Sequence, residues 1–313
     1  MLFCLFAALM ACRKTPAPVP TPTPKPGDSA SEQKTVSITV DGLMRNFVIY
    51  LPTGANNAGK MPMIFSIHGG GGTPNDMIAL ADFKKIAERD KVVIVYPEGV
   101  QKNWNDGRPT TPNQLGINDV TFFNQMCDYM VANHAVENTK IYATGISNGG
   151  FMSSRLACEL GNRIAAIAVD AATMEQTTVA TNCNPTRTIP AIYIHGTHDP
   201  LVPLTGGVMT AGAGGTILSH AQVIDKWVTL NGCNATPIVT DLPDISADGT
   251  TIKERRYTGG RNGSEVVSYV ILNGGHTWPQ GLQYLSELLI GKTSQDMNGC
   301  EVIWQFFKRF SRT

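Results

Sequence analysis

No stretch of this 313-residue chain is apolar for the roughly 20 residues that a membrane-spanning helix needs. Basic residues never form a run long enough to follow a phosphate backbone. The 25 Lys and Arg balance 25 Asp and Glu, which argues against nucleic acid as a partner. There is no C-x-x-C pair and no His/Cys cluster to suggest a metal site. The glycine run 69–72 lacks the G-K-[ST] of a phosphate-cradling loop and the spacing of a dinucleotide fold. Whatever chemistry the chain performs is therefore expected to need no metal and no cofactor.

The amino terminus carries a short apolar segment, residues 1–10 (MLFCLFAALM), suited to the h-region of a signal peptide. It ends in Leu9-Met10-Ala11-Cys12, a bacterial lipobox pattern, which makes Cys12 the expected lipidation site and residues 1–12 a lipoprotein signal. No Lys or Arg precedes the apolar run, a departure from the usual signal, and an ordinary cleaved signal peptide is the alternative. Residues 13–34 follow, with proline at alternate positions from Pro16 to Pro26. That pattern excludes helix and sheet ladders and favours an extended spacer. A lipid anchor and a stiff tether together place the remaining domain, residues 35–313, outside the cytoplasm near a membrane surface.

Seven cysteines fit an exported chain. Setting aside Cys4 and Cys12, five remain, so at least one has no partner within the chain. Cys158 and Cys183 are the expected disulfide. Elsewhere, apolar segments of strand length alternate with helical periodicity, which predicts a mainly parallel sheet with helices on both faces. Strands are expected at 36–40, 46–51, 62–67, 92–96, 140–144, 164–169, 190–195 and 265–272. Helices are expected at 75–90, 119–134, 150–160, 218–230 and 302–310. In such sheets, sites form beyond the carboxyl ends of the strands.

One such end is informative. Gly145-Ile146-Ser147-Asn148-Gly149 is G-x-S-x-G between a strand and a helix, the context of a nucleophile elbow. Glycines two residues either side of Ser147 let strand and helix approach closely. The helix start beneath offers free N–H groups to a developing oxyanion. A serine hydroxyl needs a base, and the base needs an orienting carboxylate. Of six histidines, His276 in Gly274-Gly275-His276-Thr277-Trp278 follows a late strand between small residues that free it to swing towards Ser147. For the acid, Asp199 lies in a turn fixed by Pro200 and Pro203 and gives the order Ser, Asp, His. Asp170, ending an earlier strand, stays open as the alternative. The oxyanion hole is expected from the N–H groups of Asn148 and Gly70. Trp104 and Trp278 are the expected aromatic wall of a substrate pocket, unless they pack the loop bases.

The set HGGGG (68–72), YPEG (96–99), NDV (118–120), GISNGG (145–150), HGTHDPLVP (195–203) and GGHTWP (274–279) closely resembles the polyhydroxybutyrate depolymerase and feruloyl esterase family of α/β-hydrolases. The resemblance runs from about Thr35 onward and implies a serine esterase with Ser147, Asp199 and His276 as its triad. Many relatives vary the oxyanion loop, so Gly70 carries over by position more than by identity. Relatives often have a cysteine where this chain reads Tyr257-Thr258-Gly259-Gly260, so the usual partner of Cys233 is missing; Cys300 is the possible substitute. Little chain is left for a cap domain, since the longest glycine-rich insertion, 205–216, is small. The expected substrate is a polymer or polymer-attached ester: feruloyl or acetyl groups on plant polysaccharide, with short-chain polyhydroxyalkanoate as the alternative and a silent surface-binding module as the least favoured reading.

Overall fold

Most strands of this chain are apolar on both faces, and the structure, a computed structural model describing residues 29–312, shows why. In the strand Met61–Ile67, Met63, Phe65 and Ile67 enter one core while Ile64 enters the other. Val93 and Val95 against Ile94 and Tyr96, and Ala191 and Tyr193 against Ile192 and Ile194, repeat the alternation. Side chains on opposite faces every second residue can all be buried only if helices cover both sides of the sheet.

The strands are β1 (Glu32–Val40), β2 (Leu43–Leu51), β3 (Met61–Ile67), β4 (Val93–Pro97), β5 (Val136–Ile146), β6 (Ala166–Asp170), β7 (Ala191–Gly196), β8 (Gly207–Val208), β9 (Thr216–Ile217), β10 (Ile238–Asp241), β11 (Thr251–Tyr257) and β12 (Val266–Leu272). The helices are α1 (Pro74–Leu80), α2 (Lys84–Asp90), α3 (Thr111–Gln114), α4 (Asp119–Asn133), α5 (Asn148–Glu159), α6 (Val179–Asn182), α7 (His220–Asn231), α8 (Glu287–Ile290) and α9 (Gly299–Phe307). Ten strands form one sheet in the order β1-β2-β4-β3-β5-β6-β7-β12-β11-β10. From β4 to β12 the neighbours are parallel; β1, β2, β10 and β11 add antiparallel pairs at the two edges. The core containing Phe122, Phe151 and Trp227 packs α4, α5 and α7 on one face, and the core containing Met77, Ile86, Trp304 and Phe307 packs α1, α2 and α9 on the other. This is the α/β-hydrolase architecture, without a large cap.

Several expectations need correction. The first strand begins at Glu32, three residues before the expected domain start, because its pairing with β2 runs from Glu32 opposite Leu51 to Val40 opposite Leu43. The helix expected over 75–90 is two, α1 and α2. Ala81 leaves helical geometry, and the carboxylate of Asp82 accepts the amide of Lys84, opening a new start. The edge strands β10 and β11 escaped the reading, since β10 is exposed at every position and offers no apolar alternation. The helix expected from 119 does start there, as α4, with Asn118 capping it by accepting the Thr121 amide. The signal, the lipobox with Cys12, and the tether up to residue 28 lie outside the described residues. Among the described residues no helix is long and apolar enough to cross a membrane.

Cys158 and Cys183 are joined, with their Cα atoms 4.8 Å apart. Cys127, Cys233 and Cys300 are free. Gly260 stands where a partner for Cys233 would be, since a Cβ added there would lie 2.8 Å from the Cys233 sulfur. Cys300 does not substitute. It is buried beside Trp278, and burial pushes its thiol up to about 12.

Candidate active site

Between the last residue of β5 and the first of α5 stands a single residue, Ser147. Its backbone has φ 55° and ψ −125°, a conformation that costs a non-glycine residue on the order of 1–3 kcal/mol. Neighbouring bonds hold it there. The Ser147 amide donates to the Asp170 carbonyl (3.0 Å), and the Phe151 amide donates to the Ser147 carbonyl (2.9 Å). The flanking glycines are required by space. A Cβ on Gly145 would lie 2.6 Å from the Ile67 oxygen, and one on Gly149 only 2.2 Å from the same atom. The strained serine is thus the consequence of β3, β5 and α5 meeting more closely than any side chain allows.

His276 arrives from the loop after β12, and Asp199 from the loop after β7. The two lie 2.8 Å apart, imidazole Nδ1 to carboxylate Oδ2. The other carboxylate oxygen, Oδ1, accepts the amides of Leu201 (2.8 Å) and Val202 (2.9 Å). Behind it, His195 Nε2 lies 3.5 Å from Oδ2 and 2.9 Å from the Val202 carbonyl. Burial opposes charge on Asp199, but the His276 ring and the hydrogen bonds from His195 and His276 outweigh it. The carboxyl is held well below its ordinary range. With Nδ1–H donated to a carboxylate, the free lone pair of the His276 ring is on Nε2. His276 and Ser147 line one cavity of about 470 Å³.

His276 is not freed to swing by its small neighbours, as the sequence implied. Gly275 packs so closely that a Cβ would fall 2.1 Å from the Ile290 oxygen. The His276 amide donates to that oxygen at 2.6 Å, and its carbonyl accepts the Tyr284 hydroxyl at 3.0 Å. The glycines allow a tight fit that fixes the ring.

Asp170, the alternative acid, is placed differently. Its side chain is buried, one carboxyl oxygen has no hydrogen-bond partner, and His276 is bonded elsewhere. Burial, then the charge of Asp199, pushes its carboxyl well above the usual range, which favours the neutral form.

The glycine loop crosses the start of α5. A Cβ on Gly70 would stand 3.7 Å from the Asn148 Cβ. The Gly71 amide donates to Lys102 and the Gly72 amide to Gly69, whereas the Gly70 amide has no acceptor among the described residues. Asn148 opens α5, where first-turn amides have no intrahelical acceptor. The Asn148 side chain is committed. Its Oδ1 accepts the Trp104 amide (2.8 Å), and its Nδ2 donates to Asp106 (2.6 Å). Asp106 in turn pairs with buried Arg108, whose guanidinium covers the Phe151 ring at 3.9 Å. Neither Asp106 nor Arg108 was singled out from the sequence. The only available signal was two charges among loop residues with no visible partner. His68 braces the same region: its Nε2 accepts the Gly99 amide, and burial lowers its pKa and keeps it neutral.

The two tryptophans are corrections. Trp104 is fully buried, donates its ring N–H to the His68 carbonyl, and packs on His68 and Phe123. Trp278 is buried against Phe83. Both support the loop bases, and neither lines a cavity beside Ser147. Two cavities meet at the serine. The first, of about 540 Å³, is walled by Asn103, Arg108, Thr110, Thr111 and Gln114, and by Met209 and Ala211 of the glycine-rich insertion. The second, shared with His276, is walled by Met77, Leu80, Leu201, Leu282, Tyr284 and Leu285. The insertion is therefore part of the site without forming a cap.

A family model described as Phospholipase/Carboxylesterase matches residues 46–223, more than half of the chain. Feruloyl esterase D of Neurospora crassa is 25% identical over 297 residues, covering 91% of this chain and 89% of that protein. Feruloyl esterase B of Piromyces equi is 26% identical over 244 residues, covering 76% of this chain but only 43% of that protein. Among solved structures, an acetyl xylan esterase from Aspergillus awamori superposes with a TM-score of 0.59 at 13% identity, covering 88% of this chain and 99% of that one. At that identity the likeness speaks for the fold alone.

Proposed function

The chain belongs to the phospholipase/carboxylesterase family, and from that premise we propose that it cleaves feruloyl or acetyl esters of plant polysaccharide through Ser147, His276 and Asp199. It is a carboxylic ester hydrolase. The observation that carries the assignment of residues is the 2.8 Å contact between Asp199 and Nδ1 of His276, which lines the cavity that also holds the strained serine. In this reading His276 Nε2 takes the hydroxyl proton as Ser147 Oγ attacks the ester carbonyl. Asp199 fixes the ring tautomer and offsets the imidazolium charge. The oxyanion accepts N–H from Gly70 and Asn148, at amides that have no protein acceptor to give up. The tetrahedral intermediate collapses, and the alcohol leaves with the proton from His276. Water, deprotonated by the same ring, then frees the acyl group from the serine.

Support for the polysaccharide substrate comes from what the relatives are named for, and from the polar cavity. Asn103, Thr111 and Gln114 offer donors and acceptors to a phenolic acyl group or a sugar. The leucine-lined second cavity favours the other reading, a short-chain polyhydroxyalkanoate. Comparing methyl ferulate, naphthyl acetate and hydroxybutyrate oligomers as substrates of the full chain separates the two. Ferulate or acetate turnover exceeding that of the oligomers is expected, and the reverse order transfers the assignment to polyester. In the same assay Ser147→Ala is expected to lower kcat by about a million-fold while the circular dichroism spectrum stays unchanged. Substantial residual turnover would remove Ser147 from the mechanism.

Placement outside the cytoplasm belongs to the same proposal, supported by the lipobox and proline tether. A lipidated chain sediments with membranes, and Cys12→Ser is expected to release it or leave it unprocessed. Recovery of the unaltered chain as soluble periplasmic protein cut elsewhere would remove the anchor.

A further inference from the structure

We propose that the segment 281–291 is a docking face for the uncharged, water-insoluble surface from which the ester is drawn. The inference rests on the esterase reading above and adds to it how the substrate is presented. Single exposed apolar side chains are ordinary on any protein. Here Leu282, Tyr284, Leu285, Leu288 and Leu289 are all exposed within eight consecutive residues, Leu288 at 92% and Leu289 at 56%. Other exposed large apolar residues, such as Met44, Leu115 and Ile245, are scattered over the sheet edges and loops.

The exposure is imposed by a well-bonded frame. Gln283 accepts the Thr293 amide and hydroxyl (3.0 and 2.6 Å) and donates to the Gly291 carbonyl (3.0 Å). The Ser286 carbonyl accepts the Leu289 amide, and Ile290 alone turns inward, with its carbonyl on the His276 amide. The segment thus holds the leucines outward and is tied to the backbone of the candidate base at two points, the Ile290 carbonyl and the Tyr284 hydroxyl.

Position identifies the occupant. Leu282, Tyr284 and Leu285 line the cavity that contains Ser147 and His276. A protein partner seated permanently on this patch would cover the mouth through which substrate must pass. The body that carries the ester has to reach that mouth and leave it at each turnover. Glu287 is the only charged residue between 281 and 291, so the surface that fits is uncharged.

The test uses the full chain and tributyrin, titrated from dissolved ester into emulsion. The unaltered chain is expected to gain rate steeply once droplets form. Leu288→Ser/Leu289→Ser is expected to lose at least tenfold of that gain while its kcat/KM on dissolved ester stays within twofold. Leu288→Phe/Leu289→Phe is expected to keep the gain. Flotation of the Ser147→Ala chain with tributyrin droplets, and its loss when the serine pair at 288 and 289 is added, reads docking without catalysis. Failure of the esterase reading therefore shows in hydrolysis of dissolved ester, and failure of the docking face shows in flotation. Absence of flotation, an equal fall on dissolved and emulsified ester, or leucine-dependent binding confined to phosphatidylcholine vesicles would each overturn the proposal.

Discussion

The neighbouring parallel strands β6 and β7 each deliver an aspartate to the carboxyl edge of the sheet, and the two carboxyls meet opposite fates. Asp170 closes β6 with an unpartnered oxygen, and burial and the nearby charge favour its neutral form. Asp199, three residues beyond β7, also has its side chain shut off from solvent, yet two amides and His276 meet its oxygens, and it is kept ionised. Burial alone therefore does not choose the acid; the supply of donors does. The turn Asp199-Pro200-Leu201-Val202 provides two of those donors from its own backbone, whereas a residue within a ladder spends its neighbouring amides on strand pairing.

Removing the ionised member gives the largest effect. Asp199→Asn is expected to cut kcat by about four orders of magnitude with little change in KM, because the His276 tautomer is no longer fixed. If Asp170→Asn produced that loss instead, the comparison would be reversed. A smaller effect is expected behind the carboxylate. His195→Gln, which alters the group 3.5 Å from Asp199 and its bond to Val202, should lower kcat about ten- to a hundredfold through misplacement of the acid. An unchanged kcat would show that the two amides suffice to hold it.

The smallest effects concern stability, and they differ in sign. The depressed pKa of Asp199 contributes stability that is present above about pH 4, the unfolded carboxylate value, and is lost as pH falls through the folded one. The raised pKa of Asp170 works the other way. Its contribution is complete below about pH 4 and shrinks as pH rises, since the unfolded chain ionises and the folded one does not. Asp170→Asn should therefore raise the urea midpoint at neutral pH, flatten its decline above pH 4, and leave kcat within about threefold. Asp199→Asn should lower the midpoint at neutral pH, by a margin that narrows below pH 4. Parallel pH profiles for the two variants would show that the environments do not differ.

Much of the site was legible because glycines and a proline-fixed turn sit at positions that geometry dictates. Gly145 and Gly149 mark a contact that admits no Cβ, and strand-length apolar runs alternating with helical periodicity mark a mainly parallel sheet. The reading failed where a residue's partner lies far along the chain. Trp104 read as a substrate wall because nothing local shows that the His68 carbonyl takes its N–H. Asp106 and Arg108 gave no local sign of their role, because their burial depends on Phe151 and Asn148. The exposed leucines of 281–291 could not be told from buried ones, as sequence carries no signal for which side of a loop faces water.

The sequence by itself determined that a serine stands on a strand-to-helix turn and that a histidine and an aspartate follow it in the order an α/β-hydrolase uses. Those features depend on local backbone rules: steric room at glycine, fixed φ at proline, and a period of two along a buried strand. Only the tertiary structure decided which aspartate meets the histidine, which aromatic rings are core, and where apolar surface is left open. Those outcomes depend on hydrogen-bond donors and packing partners drawn from strands and loops tens to hundreds of residues apart. Local propensity places a side chain on its element; only the assembled sheet gives it a neighbour.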